Sequence, residues 1–200
     1  TLAESTGGVP KLRKLILELA VRGKLVEQEA GNDSADSLIS AIAAERERLE
    51  DAGDVKKSKG IPALDDIDRP FEIPSNWTWE RLGNIADLQT GKRMKGGART
   101  EGVISLGGEH LNPDGTVNYF VPRYVTEEFF DSMPTGKVKQ HDSLMVKDGA
   151  TTGKTAFVDE LPHDGKAAIN EHVFLIRPYS PLDKRLVFRF LRAFVAALVA

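Results

Sequence analysis

The sequence predicts an α+β fold: a mixed domain of short strands preceded by an N-terminal helical arm. Three observations carry this. Up to residue 55 the apolar side chains recur at helical spacing, as in Leu12, Leu15, Ile16 and Leu19. From residue 71 onward, short apolar runs alternate with Gly, Pro and Asn turns, the mark of strands about four to six residues long. Between the two lies a charged stretch, with Lys56-Lys57-Ser58-Lys59 followed by Asp65-Asp66-Ile67-Asp68. We therefore divide the 200 residues into a helical arm (1–55), a linker (56–70) and a globular domain (71–200).

The elements follow in order. Thr6-Gly7-Gly8-Val9-Pro10 is a turn that opens a helix, because proline tolerates the first helical turn. Gly23 weakens this helix, which should end by Val26. Glu29 to Ser34 reads as a loop, and Asp33 or Ser34 can cap a second helix. Leu38, Ile39, Ile42 and Leu49 form its apolar stripe, and Glu45-Arg46-Glu47-Arg48 its wet side. The pair is expected to form a hairpin whose narrow stripes need a partner. Strands are expected at Ile85–Leu88, Val103–Leu106, Val117–Val121, Ser143–Val146, Thr155–Val158 and His172–Ile176, with a short helix at Glu127–Phe130. Pro181 and Leu182 open a last helix running to Leu198, and the tail Ala193–Ala200 has no polar face.

Composition excludes several classes. With no cysteine, disulfide scaffolds, zinc–thiolate sites and cysteine nucleophiles drop out. The longest charge-free apolar run is Ala193–Ala200, far below the ~18 residues of a membrane span. No basic-then-apolar leader opens the chain. Because the first residue is Thr1 and not Met, we expect the natural start to lie upstream. The net charge of −3 is held by residues 1–70, with 11 basic and 14 acidic side chains, while residues 71–200 balance at 16 each.

Two basic loops stand out in the globular part. Gln89 to Arg99 carries Lys92, Arg93, Lys95 and Arg99 with three glycines and no acid. Its plainer reading is a solvated loop. Its functional reading is a polyanion contact, since arginine suits bidentate contact with guanine and lysine suits phosphate. Gly149-Ala150-Thr151-Thr152-Gly153-Lys154-Thr155 looks like a phosphate-binding loop, but only three residues separate the glycines where four are needed, Asp148 precedes it, and a strand follows. It reads instead as a turn between two strands whose Lys147, Thr151, Thr152 and Lys154 can meet phosphates or base edges. Arg185, Arg189 and Arg192 share a face of the last helix, and we take that face as ordinary solvated surface. His110, His141, His163 and His172 lack metal-ligand spacing, no serine sits in a Gly-x-Ser-x-Gly turn, and no methyltransferase tetrapeptide is present. Asn170 reads either as an adenine contact or as a turn residue. Catalysis is therefore not expected.

Phe71-Glu72-Ile73-Pro74-Ser75-Asn76-Trp77-Thr78-Trp79-Glu80-Arg81-Leu82-Gly83-Asn84-Ile85-Ala86 resembles the opening of a target recognition domain from a type I restriction–modification specificity subunit, and Gln89-Thr90-Gly91-Lys92 continues it. His141-Asp142-Ser143-Leu144-Met145-Val146 through Lys154 resembles the family's strand–turn segment, with His141 standing where the usual residue is glycine. Lys11 to Val26 is similar to the spacer helix, ending in Gly23-Lys24-Leu25-Val26. The resemblance implies a target-recognition-domain-like fold on a spacer arm, and a non-catalytic, cytoplasmic, bacterial subunit that reads one half of a bipartite site on double-stranded DNA. It implies docking of adenine methyltransferase (modification) subunits and, through them, restriction subunits. S-adenosylmethionine, ATP and Mg would then sit on those partners, with no cofactor or metal on this chain. The length suits one recognition domain and half a spacer. For the arm, Leu12, Leu15, Ile16, Leu19, Leu38, Ile42 and Leu49 are the expected partner-binding residues, for modification subunits or for a homodimer. The alternatives are a recognition domain from a fused restriction–methyltransferase system, or a helical interaction module that self-associates.

Overall fold

A computed structural model of the protein describes residues 7–27, 35–57 and 60–198. The chain divides into two compact units, Thr1–Ile85 and Ala86–Ala200, so residues 71–85 of the Phe71–Ala86 motif lie with the helices and only its last residue falls in the second unit. Among the described residues no helix is long and apolar enough to cross a membrane.

In the first unit, helix α1 spans Gly8–Val21 and α2 spans Ala35–Ala52. Both end on a glycine in the left-handed region, Gly23 (φ 64°) and Gly53 (φ 78°). At each end the next residue's N–H reaches back over the last turn, Lys24 to the Leu19 carbonyl (2.8 Å) and Asp54 to the Leu49 carbonyl (2.9 Å). These bonds satisfy carbonyls that a helix end otherwise leaves open. The expected cap at Asp33 or Ser34 lies outside the described residues. The helices are held by the segment after the linker. Arg22 lies over the Phe71 ring at 4.9 Å, Phe71 meets Trp79 edge-on at 4.8 Å, and Pro74 closes against Gly23. A one-turn helix α3, Leu82–Ile85, receives α2 through a 3.0 Å bond from Arg46 to Asn84. The linker is tied down, since Arg81 donates to the Pro62 (2.7 Å) and Ala63 (3.0 Å) carbonyls and pairs with Asp68. Asp65, Asp66 and Ile67 stay exposed, so Arg81 ties the linker down at its ends while the acidic run itself is solvated.

The second unit carries seven strands: β1 Ala86–Thr90, β2 Val103–Leu106, β3 Tyr124–Val125, β4 Ser143–Val146, β5 Thr155–Phe157, β6 Ala167–Ile169 and β7 Val173–Pro178. They form an antiparallel sheet ordered β1-β7-β4-β5 and a mixed sheet ordered β3-β2-β6, with β2 and β6 parallel. Ile104, Leu106, Leu144, Ala156, Ile169 and Leu175 are buried between them. All four residues of β2 are buried, which is why Val-Ile-Ser-Leu shows no alternation. Helix α4, Glu127–Ser132, starts where the Thr126 hydroxyl accepts from the Phe129 N–H. Helix α5, Lys184–Leu198, packs on β5 and β7; the side chains of its last turn, from Val195, lie outside the described residues. The mixed α+β class is as expected.

The structure differs from expectation at several elements. Val117–Val121 forms no strand, and only Val117 bridges to Leu111; Asn112, Asp114 and Thr116 bond to one another and turn the chain locally instead. Strands β3 and β6 carry no sequence signal, because Tyr124-Val125 and Ala167-Ala168-Ile169 are too short and too plain, and the last helix starts at Lys184, after Pro181 and Leu182. His141 has a positive φ of 70°, which explains the glycine usual at this place. Its neighbour Asp142, 1% exposed, accepts two bonds from Arg177 of β7 (2.8 and 2.7 Å) and one from the Lys139 N–H (2.7 Å).

Candidate nucleic-acid interface

Strands β1, β2, β4 and β6 all end on the same side of the second unit, and their outgoing loops touch. The first basic loop leaves β1 at Gly91. A Cβ at Gly91 would stand 1.9 Å from the Ile169 carbonyl oxygen and 2.4 Å from that of Asn170, so only glycine lets the loop lie on the turn after β6. The loop is fixed twice more. Met94 is buried in a small cluster with Val103 and Val125, and the Arg99 backbone exchanges two hydrogen bonds with Tyr124 (2.8 and 3.2 Å). Burying Met94 turns its neighbours outward, and Lys92, Arg93 and Lys95 are exposed. Arg99, also exposed, bonds back to the Gly96 carbonyl (3.2 Å).

The second basic loop joins β4 to β5 as a turn between strands, with no helix following it as a phosphate-binding loop would have. The Thr152 hydroxyl donates to the Gly149 carbonyl (2.7 Å) and so serves the turn itself. Thr151 is exposed and its hydroxyl lies against Gly108. Lys154 is half-buried and donates to the Gly108 carbonyl (3.1 Å), while Lys147, also half-buried, lies over the Phe174 ring at 5.7 Å. Of this group, Thr151 and Thr152 are exposed and the two lysines anchor the loop.

The turn Asn170–His172 links the loops. Arg93 of the first approaches Glu171 at 3.7 Å, and His172 Nε2 lies 3.5 Å from the same carboxylate. His172 Nδ1 pairs with Asp148 of the second loop. The turn's backbone is clamped. Asn170, 4% exposed, donates its N–H to the Leu106 carbonyl (2.9 Å) and accepts from the His172 N–H (2.9 Å), while the Lys147 N–H donates to the His172 carbonyl (2.9 Å). Asn170 therefore has the turn role of its two readings. Sequence reasoning missed Glu171, His172, Asp148 and Met94; the basic–Met–basic order at Arg93-Met94-Lys95 is the one local signal that marks an anchored loop.

Next to Lys154, a 3-10 turn at Gly108–His110 closes over a buried histidine. The Gly107 N–H donates to His110 Nδ1 (3.0 Å), so Nε2 carries the proton and donates to the Val121 carbonyl (3.2 Å). Burial keeps this imidazole below the ordinary histidine range, although Glu109 beside it favours the charged form. Burial also works against the charge on Glu109, yet backbone N–H bonding and the Arg123 guanidinium 2.9 Å away hold it below the usual carboxylate range.

The other candidates lie elsewhere. Arg185 pairs with Asp159 and covers Phe157, and Arg192 donates to the Pro113 (2.7 Å) and Asp114 carbonyls, so that face is tied into the domain except for exposed Arg189. In the first unit Leu12 (42%), Leu15 (49%), Ile16 (41%) and Leu38 (38%) are exposed, Leu19 and Leu49 are half-buried, and Ile42 (1%) belongs to the unit's own packing. Ile42 therefore cannot meet a partner as the stripe suggested. Among the described residues, no group of three or more His, Asp or Glu is placed to hold a metal ion.

No protein-family model matches the chain. Over 81 residues it is 47% identical to the specificity subunit of the Escherichia coli type I restriction enzyme EcoAI, and 46% identical over 81 residues to that of EcoEI. The chain is similar to type I restriction enzyme specificity subunits. Each match covers 40% of this chain and 14% of the relative. Two solved structures also align. The HsdS subunit of Thermoanaerobacter tengcongensis is 18% identical at a TM-score of 0.48, over 95% of this chain and 40% of that one. A chain from a type I R-M system complex gives 18% and 0.48, over 96% and 41%. The resemblance read from the motifs is thus matched by the curated relatives.

Proposed function

We propose that the chain is the DNA-reading part of a type I restriction–modification specificity subunit, with duplex DNA meeting the loop end of the second unit. One observation carries the reading. Two basic loops more than fifty positions apart both contact the clamped turn at Asn170–His172, and between them they expose Lys92, Arg93, Lys95, Thr151 and Thr152. Such a surface combines charge for phosphates with arginine and hydroxyls for base edges. The similarity to specificity subunits supports it. In this reading the chain is non-catalytic and cytoplasmic, and it reads one half of a split site. Adenine methylation and cleavage belong to modification and restriction subunits, which carry S-adenosylmethionine, ATP and Mg.

The exposed apolar face at Leu12, Leu15, Ile16 and Leu38 favours a docking role for the arm, toward modification subunits or a second copy of the chain. Fluorescence anisotropy with labelled duplex across a salt series tests DNA binding. Affinity should fall steeply with salt. Replacing Lys92 and Arg93 together by alanine should lower the affinity and flatten the salt slope by about one for each phosphate those side chains neutralise. Salt-independent binding, or a double variant that behaves as wild type, contradicts the assignment.

A further inference from the structure

A carboxylate in the middle of a DNA-facing surface repels every phosphate, so Glu171 weakens binding to all DNA alike unless it acts selectively. Its setting points to selection. The Asn170–His172 turn is clamped by the Leu106 and Lys147 backbones and by the Asn170 side chain, so the Glu171 backbone has one position. Its side chain is 25% exposed, whereas that of Arg93, 3.7 Å away, is 82% exposed. A solvent-exposed arginine on a glycine-rich loop can swing to any phosphate. A fixed carboxylate 3.7 Å from its Nε attracts the guanidinium and biases it toward one direction, from which its outer nitrogens can meet a base edge. His172 lies between Glu171, 3.5 Å from its Nε2, and Asp148, which pairs with its Nδ1.

We propose that Glu171 is a positioning residue for sequence preference: it aims Arg93 at a base edge and lowers the affinity of this surface for unspecific DNA. The inference rests on the DNA-reading function proposed above. The test starts by selecting duplexes from a random library with the full chain, then measures affinity for the enriched duplex and for a scrambled one. Glu171→Ala should bind scrambled duplex more tightly and enriched duplex more weakly, lowering the ratio about tenfold. Merely structural damage lowers both affinities together and overturns the inference. The Arg93→Ala and Arg93→Ala/Glu171→Ala proteins should show the same ratio, because Glu171 acts through Arg93; additive effects overturn it. Glu171→Gln, which keeps an acceptor without the charge, should recover part of the ratio, and a Gln variant no better than Ala counts against the aiming role. A wild-type chain that enriches no motif overturns DNA reading itself, whereas a motif retained unchanged by Glu171→Ala overturns only this inference.

Discussion

Gly91→Ala is the sharpest perturbation of the loop end. The added Cβ would stand 1.9 Å from the Ile169 carbonyl oxygen and 2.4 Å from the Asn170 oxygen. An ordinary carbon–oxygen contact is about 3.3 Å, so the backbones must part by roughly 1.4 Å. Neither partner is the end of a flexible side chain. Overpacking of this kind costs about 1–3 kcal/mol, and for a chain of this length that lowers Tm by roughly 2–12 °C. The displaced loop also moves Arg93 from Glu171, so duplex binding should weaken. Differential scanning fluorimetry and anisotropy read the two effects. Gly60→Ala is the matched control: a Cβ there meets nothing within 4 Å, and it should leave both unchanged or raise Tm slightly. A Gly91→Ala protein with wild-type Tm and wild-type affinity would refute the close approach and the loop placement built on it.

Three more outcomes are expected. Asp142→Ala strands the Arg177 guanidinium and should cost about 3 kcal/mol in urea unfolding, the low end for a broken buried pair because Arg177 keeps some exposure. His110, whose folded pKa is depressed below 6.5, leaves the unfolded state binding more protons; stability should fall as pH drops below about 6.5 and level off below the folded pKa, and His110→Gln should remove that part of the slope. Gly23→Ala and Gly53→Ala both force a left-handed residue, at about 1–2 kcal/mol each, but only Gly23 also faces Pro74, 2.4 Å from its added Cβ, so Gly23→Ala should melt lower than Gly53→Ala.

How much of this was legible in the sequence depended on whether a signal was local. Val103–Leu106 and Ser143–Val146 fall on their strands because a run of apolar residues between turns is a local pattern. The end of the first helix is readable for the same reason, since Gly23 needs only its own φ. Val117–Val121 read as a strand from residue type alone, but its neighbours' side chains bond locally and, among the described residues, no partner strand pairs along it. The two basic loops were visible as charge. Their meeting was not, because it depends on Gly91, Asn170 and Gly108, whose importance lies in contacts dozens of residues away. Glu171 carries no local signal of its own, and Ile42 looks like any member of its stripe because only packing buries it.

Hydrogen–deuterium exchange of the chain with and without duplex DNA tests the central claim most directly. The account predicts that DNA slows exchange together at residues 91–99, 147–154 and the Asn170–His172 turn, with little change in α5. Protection confined to α5 or to the first unit, or absent from both loops at saturating duplex, would contradict it.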